Sequence, residues 1–213
     1  MKHPPIKEFV AEEYPTGNIT QWFAENPALY STHVCIEGAP CHSSMTCPIG
    51  KGCLIGHNGI DIVAPWGTLI FAVDDGIITD VKDSPTGYGK HLRLVTQEGV
   101  EWTYGHASEN LVVVGQRVKA GHVIQKMGNT GFVVSGATPY WKYNPYAGTH
   151  LHFGKRFVGK DYLNGFFGSI DFREELENVS EATSLKKTHM LTLISLLNKL
   201  VGLLRLRNKS TPF

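Results

Sequence analysis

Short apolar runs recur along this chain, rich in β-branched and aromatic residues and punctuated by twenty-three glycines and eleven prolines. This pattern predicts β-strands joined by tight turns. The candidate strands are 19–23, 60–63, 69–73, 76–82, 90–97, 100–106, 122–127 and 150–157. Gln97-Glu98-Gly99, between Leu92-Arg93-Leu94-Val95 and Glu101-Trp102-Thr103-Tyr104, reads as a hairpin turn that carries His106 to the end of the second strand. The expected fold is therefore mainly β, an antiparallel core with many turns. The pattern changes near the end. From Met190 to Leu206 the polar residues Thr192, Ser195, Lys199, Gly202 and Arg205 recur at helical spacing along a wide apolar face, which predicts a C-terminal amphipathic α-helix. At about 17 residues with Lys199 in the middle, it is a poor membrane span, which needs about 20.

Composition adds bounds. A chain of 213 residues with 42% hydrophobic content can bury a full core. Twenty lysines and arginines against 19 acids leave a formal charge of +1, with no basic stripe interleaved with aromatics, so a nucleic-acid partner is excluded.

The chemistry concentrates in two short segments. In Gly56-His57-Asn58-Gly59-Ile60-Asp61, the histidine and aspartate are four residues apart; in His150-Leu151-His152, the two histidines are two apart. On strands, each pair points to one face. Two imidazoles and one carboxylate suffice for a catalytic zinc site that keeps a position open, and His57, Asp61 and His152 are the expected ligands of one zinc ion. Between the segments lies Tyr104-Gly105-His106-Ala107-Ser108.

With these motifs the chain resembles the lysostaphin-type zinc endopeptidases, which cleave peptide cross-links in bacterial peptidoglycan. The likeness runs from about Ile19 to about Val158 and includes Ala64-Pro65-Trp66-Gly67-Thr68, Gly87-Tyr88-Gly89, Trp102-Thr103-Tyr104-Gly105-His106, Gly128-Asn129-Thr130-Gly131 and Gly148-Thr149-His150-Leu151-His152-Phe153. The resemblance implies a small β-sandwich-like core with the metal in a groove, His57, Asp61 and His152 as zinc ligands, and His106 and His150 as the two catalytic histidines that are not ligands. One accepts a proton from the attacking water and the other assists the oxyanion or the leaving amine; which does which stays open. The implied partner is a bacterial peptidoglycan peptide. A binding module of the same fold that has lost catalysis would show a gap among the five positions, and none is seen. A particle-associated structural component is the other alternative.

Two departures from the family pattern stand out. No tyrosine is placed just before His57, where the family holds one near the metal; Tyr30, Tyr104, Tyr140 and Tyr143 are the substitutes available. The stretch 133–147, with Tyr140-Trp141-Lys142-Tyr143-Asn144-Pro145-Tyr146, is longer than usual and reads as a specificity loop, so Tyr104, Tyr140, Trp141 and Tyr143 are taken as substrate contacts.

Domain limits follow: 1–17 an N-terminal extension, 18–172 the metallopeptidase domain with a cysteine-rich insertion at 35–53, 173–187 a linker, and 188–207 the amphipathic helix, for which packing on its own domain, self-association and contact with a membrane surface are all open. Cys35, Cys41, Cys47 and Cys53 recur every six residues. That spacing suits two disulfides, with a structural metal site including His42 or free thiols as the alternatives. The first ten residues lack the apolar run of a secretory signal, yet the implied substrate lies at the cell envelope or outside the cell. Delivery as a phage lysin or virion component, or a processed start that the sequence lacks, would reconcile the two.

Overall fold

The computed structural model describes residues 1–28, 30, 35–37, 51–135, 138–160 and 164–209. In chain order the strands are β1 (Ile19–Gln21), β2 (Cys35–Glu37), β3 (Lys51–Cys53), β4 (Ile60–Ile62), β5 (Leu69–Phe71), β6 (Gly76–Lys82) and β7 (Lys90–Val95). They continue with β8 (Val100–Ala107), β9 (Glu109–Asn110), β10 (Arg117–Val118), β11 (Val123–Lys126), β12 (Val134–Ser135), β13 (Thr138–Pro139) and β14 (Leu151–Phe157), before one long helix, α1 (Arg173–Lys209).

Seven strands form an antiparallel sheet in the order β1-β4-β14-β8-β7-β6-β10, and β5-β11-β9 form a second, smaller sheet. The short apolar runs supply the core: Ile60, Ile62, Ile78, Leu92, Leu94, Leu151 and Phe153 from the large sheet, with Ile70 and Ile124 from the small one, are fully buried. Trp102 stacks on Phe153 at 5.1 Å between ring centroids, and Phe172 meets both rings edge-on, so the inner face is sealed by aromatics. The β7–β8 hairpin turns at Gly99, whose φ of 79° favours glycine, and closes with Thr96 and Val100 hydrogen-bonded to each other.

The ends of the chain depart from expectation. Residues 1–17, read as an extension, send Ile6 and Phe9 into the core, and Ile6 bridges Ile70 of the small sheet. The segment 173–187, read as a linker, is helical and continuous with the helix after it. Asp171 caps its start by accepting the Arg173 amide at 2.9 Å, Glu174 and Glu175 sit in the first turn where the helix dipole favours them, and Phe172, Leu176 and Val179 form a buried stripe. Packing on the domain stops there: from Ser184 to Val201 every side chain is exposed.

In the cysteine-rich segment, Cys41 and Cys47 lie outside the described residues. The backbones of Cys35 and Cys53 are Cα partners on β2 and β3, and their thiols are outside what is described.

Candidate metal centre and catalytic site

Register across the sheet builds the site. Asp61 on β4 is the Cα partner of His152 on β14, and His152 is in turn the partner of Gly105 on β8. Because Phe153 points into the aromatic core, its neighbour His152 leaves by the opposite face, alongside Asp61. Gly105 keeps the approach to His152 open: a Cβ there would sit 3.3 Å from the His152 Cβ. His57 reaches the same place from the loop before β4, where its amide donates to Glu25 and the Ala24 amide donates to its carbonyl.

Three atoms converge there. His57 Nε2 lies 3.0 Å from His152 Nδ1, and Asp61 Oδ1 lies 3.1 Å from each nitrogen. A tetrahedral zinc with ligands at about 2.0–2.1 Å needs donor atoms about 3.3 Å apart, so this triangle is within a few tenths of an ångström of the required size. His57 Nδ1–H donates to the Trp22 carbonyl at 3.1 Å, which leaves the Nε2 lone pair facing inward. His152 Nε2 is buried without a hydrogen-bond partner among the described residues. Its ring is held instead by contact, stacked on Tyr88 at 5.0 Å and pressed against Gly59. The same triad is the cluster among the described residues able to hold a metal ion. Nitrogen, nitrogen and carboxylate oxygen, preset by a carbonyl and by packing, fit zinc.

The charges suit ligation. Burial pushes the Asp61 carboxyl up, but the charges of His57 and His150 and hydrogen bonds from His152 and His57 override it and hold Asp61 well below its ordinary range. Burial lowers His152, with the Asp61 hydrogen bond offsetting only part. At His57 the penalty of burial is outweighed by Asp61, and the net shift is upward. The ionised carboxylate is thus available, and binding an ion displaces whatever proton the imidazoles share.

Two more histidines border the triad. His106 Nδ1–H donates to the Thr130 carbonyl at 2.8 Å and its backbone amide to the Tyr88 carbonyl at 2.7 Å, at a left-handed φ of 64° that few residues other than glycine adopt. His150 Nδ1–H donates to the Gly148 carbonyl at 2.7 Å and its Nε2 lies 3.6 Å from Asp61 Oδ2. The two rings are 4.7 Å apart. His106 therefore presents Nε2 as an acceptor-capable nitrogen, while His150 Nε2 faces the Asp61 carboxylate. Burial, with the nearby His150 and His152, holds His106 well below the usual histidine range, so it is neutral.

One loop organises both. The Gly128 carbonyl accepts the His150 amide, Asn129 donates to the Ala147 carbonyl at 2.7 Å, and Thr130 binds His106 and the β7 amide of Lys90. The motif was visible in the sequence, but its role as a clamp was not.

The aromatic residues sort differently from expectation. Tyr104 is no substrate contact: it is fully buried, and its hydroxyl accepts the Val73 amide. Tyr140 is half-buried against its own loop, its ring 5.8 Å from the exposed Tyr143, and the Trp141 side chain lies outside the described residues. Tyr30 stacks on His57 at 5.5 Å and donates to Gln21. The unforeseen neighbour is Tyr88, which covers His152 and accepts a 2.7 Å hydrogen bond from Asn58. Beside His150, a groove is lined by Tyr14, Asn18, Val63, Trp66, Tyr146 and Thr149, with Trp66 and Tyr146 edge to face at 5.5 Å.

The family model described as Peptidase family M23 matches residues 55–164. Among curated proteins, the chain is 40% identical over 78 residues to the glycyl-glycine endopeptidase ALE-1 of Staphylococcus capitis, covering 36% of this chain and 21% of that protein. It is 36% identical over 104 residues to the DD-carboxypeptidase/endopeptidase Mpg of Neisseria meningitidis, covering 49% and 21%, and 41% identical over 75 residues to the uncharacterized lipoprotein YgeR of Escherichia coli, covering 35% and 30%. The chain thus spans less than a third of the length of these relatives. Among solved structures, lysostaphin of Staphylococcus simulans aligns over 68% of this chain and 50% of its own, at 24% identity and a TM-score of 0.47. A zinc-containing peptidase of Vibrio cholerae aligns over 80% and 38%, at 22% identity and a TM-score of 0.49.

Proposed function

The chain belongs to peptidase family M23, and from that premise we propose that it is a zinc-dependent endopeptidase that hydrolyses the peptide cross-links of bacterial peptidoglycan. The observation that carries the proposal is the triangle of His57 Nε2, Asp61 Oδ1 and His152 Nδ1 with sides of 3.0 to 3.1 Å, bordered by two further histidines that are not part of it. Held by these three side chains, a zinc ion would supply a Lewis acid for the scissile carbonyl and lower the pKa of the attacking water.

The protein's own groups do the rest. His106 and His150, each anchored through Nδ1 to a backbone carbonyl, aim Nε2 toward the same space. One takes the proton of the water as it attacks; the other, once protonated, donates to the departing amine or the oxyanion. Fixing both rings beforehand removes reorganisation from the chemical step. The groove walled by Tyr14, Trp66 and Tyr146 is the proposed seat of the substrate peptide, since its lining includes Gly148 and Thr149, the residues that precede His150 in the chain. Relatives named as endopeptidases and as a lipoprotein support action at the cell envelope.

The test is mass analysis of fragments released from purified cell walls of differing cross-link chemistry. Zinc-replete protein should release peptides with new amino and carboxyl ends while leaving the glycan strands intact, and a chelator should stop it. If folded, zinc-replete protein leaves every wall intact, the proposal fails.

A further inference from the structure

About a third of the way along its 37 residues, α1 changes from a docked helix to an exposed one. Its first turns are tied down by Leu176, Val179 and Ser180, whose hydroxyl accepts the Ala11 amide at 3.1 Å. From Ser184 to Val201 all side chains are exposed. At about 3.6 residues per turn, Met190, Leu193, Ile194, Leu197, Leu200 and Val201 share one face of the helix, Leu191 and Leu196 flank it, and Thr192, Ser195 and Lys199 form a narrow polar stripe opposite. These apolar side chains are between 39% and 65% exposed, far more contiguous apolar surface than a folded domain leaves in water without a use.

Charge identifies what covers it. After Glu181 the sequence carries Lys186, Lys187, Lys199, Arg205, Arg207 and Lys209, and no aspartate or glutamate. A second copy of the segment after Glu181 would bring a further set of like charges and no carboxylate to pair with them. Lys187 pairs with Glu8 at 3.7 Å, and a neutral apolar groove would offer no counter-charge to the cations beyond it. No helix among the described residues is long and apolar enough to cross a membrane, and Lys199 stands in the middle of the apolar segment.

We propose that the exposed half of α1 lies in the headgroup region of an anionic lipid membrane, with its apolar face against the acyl chains and its lysines and arginines on lipid phosphates. The peptidase domain would then be held beside the membrane by a rigid arm, because the helix is continuous with the turns that pack on the core.

The experiment is co-sedimentation of the full zinc-loaded chain with vesicles of phosphatidylcholine, with and without phosphatidylglycerol. Binding should be at least about tenfold tighter to the anionic vesicles and should weaken as salt is raised. The double variant Leu193→Glu and Leu197→Glu, on exposed positions away from the site, should lose at least about tenfold in vesicle binding with its zinc content and folding unchanged. Equal binding to both vesicle types would overturn the proposal. So would a lack of binding, whether the protein is monomeric in solution or forms oligomers that the double variant abolishes; the oligomers would assign the face to self-association.

Discussion

Asp61 and His152, ninety-one positions apart, are direct Cα partners on adjacent strands, and their ligand atoms meet at 3.1 Å. Strand register does this work: a slip of one residue would turn one of the two side chains to the aromatic face and dismantle the site. Replacing His57, Asp61 or His152 with alanine leaves two protein donors, which hold zinc far more weakly. Metal analysis should find close to one zinc per wild-type chain and much less in each variant; full zinc in any of them would remove that residue from the ligand set.

His106 and His150 should behave otherwise. Each alanine variant keeps the triad and should keep its zinc, while cross-link hydrolysis falls by about 10² to 10⁴ fold, the usual worth of a proton-transfer group. Rate and zinc content measured on the same preparation separate the two classes of residue. A His106→Ala protein that had lost its metal would contradict the division.

Gly59 offers a test that removes no ligand. A Cβ there would stand 2.7 Å from the His152 ring and 2.7 Å from the Phe153 carbonyl, and that carbonyl is fixed within the sheet. Gly59→Ala should therefore push the His152 ring out of the triangle and weaken zinc binding by about tenfold or more, the size of effect seen when the surroundings of a ligand are disturbed. Competition titration with a chromogenic chelator reads the change, and an unaltered affinity would show that the ring has room to move.

The loop clamp has its own prediction. Asn129 is fully buried and donates to the Ala147 and Asn144 carbonyls, so Asn129→Ala strands two acceptors and should cost about 1–3 kcal/mol of stability. The neighbouring Gly128 positions His150, so turnover should fall with zinc retained. Denaturant unfolding beside hydrolysis rates would detect both, and a variant as stable and active as wild type would mean the loop holds itself.

Acid should weaken the fold through His91. Burial lowers its pKa, which the hydrogen bond to the Gly89 carbonyl offsets only in part. The unfolded chain, with the ordinary value of about 6.5, then binds the proton more readily, so stability is complete above that pH and declines as pH falls below it. Unfolding free energies at two pH values on either side of 6.5 should drop less for His91→Asn than for wild type; equal drops would exclude this residue as the cause.

What could be read from the chain alone was what is local. Strand segments such as 76–82, β-branched and bounded by turn residues, were found to the residue, and His57, Asp61 and His152 stood out because four- and two-residue spacings put ligands on one face. The hidden parts depend on contacts distant in sequence. Nothing near Tyr88 says that it covers His152, nor does anything around Trp22 say that its carbonyl sets the His57 tautomer. Tyr104 followed a motif into a position where the strand turns it inward. The start of α1 was misread on its polarity, although Arg173 to Val201 contain neither glycine nor proline and open with two glutamates, which are helical signals.

The measurement that reaches the central claim most directly is anomalous diffraction at the zinc edge from crystals of the zinc-loaded protein. The account predicts one strong peak about 2.0–2.2 Å from each of His57 Nε2, Asp61 Oδ1 and His152 Nδ1, with His106 and His150 outside the coordination sphere. A zinc ion bound elsewhere, or a triad that stays metal-free at saturating zinc, would contradict it.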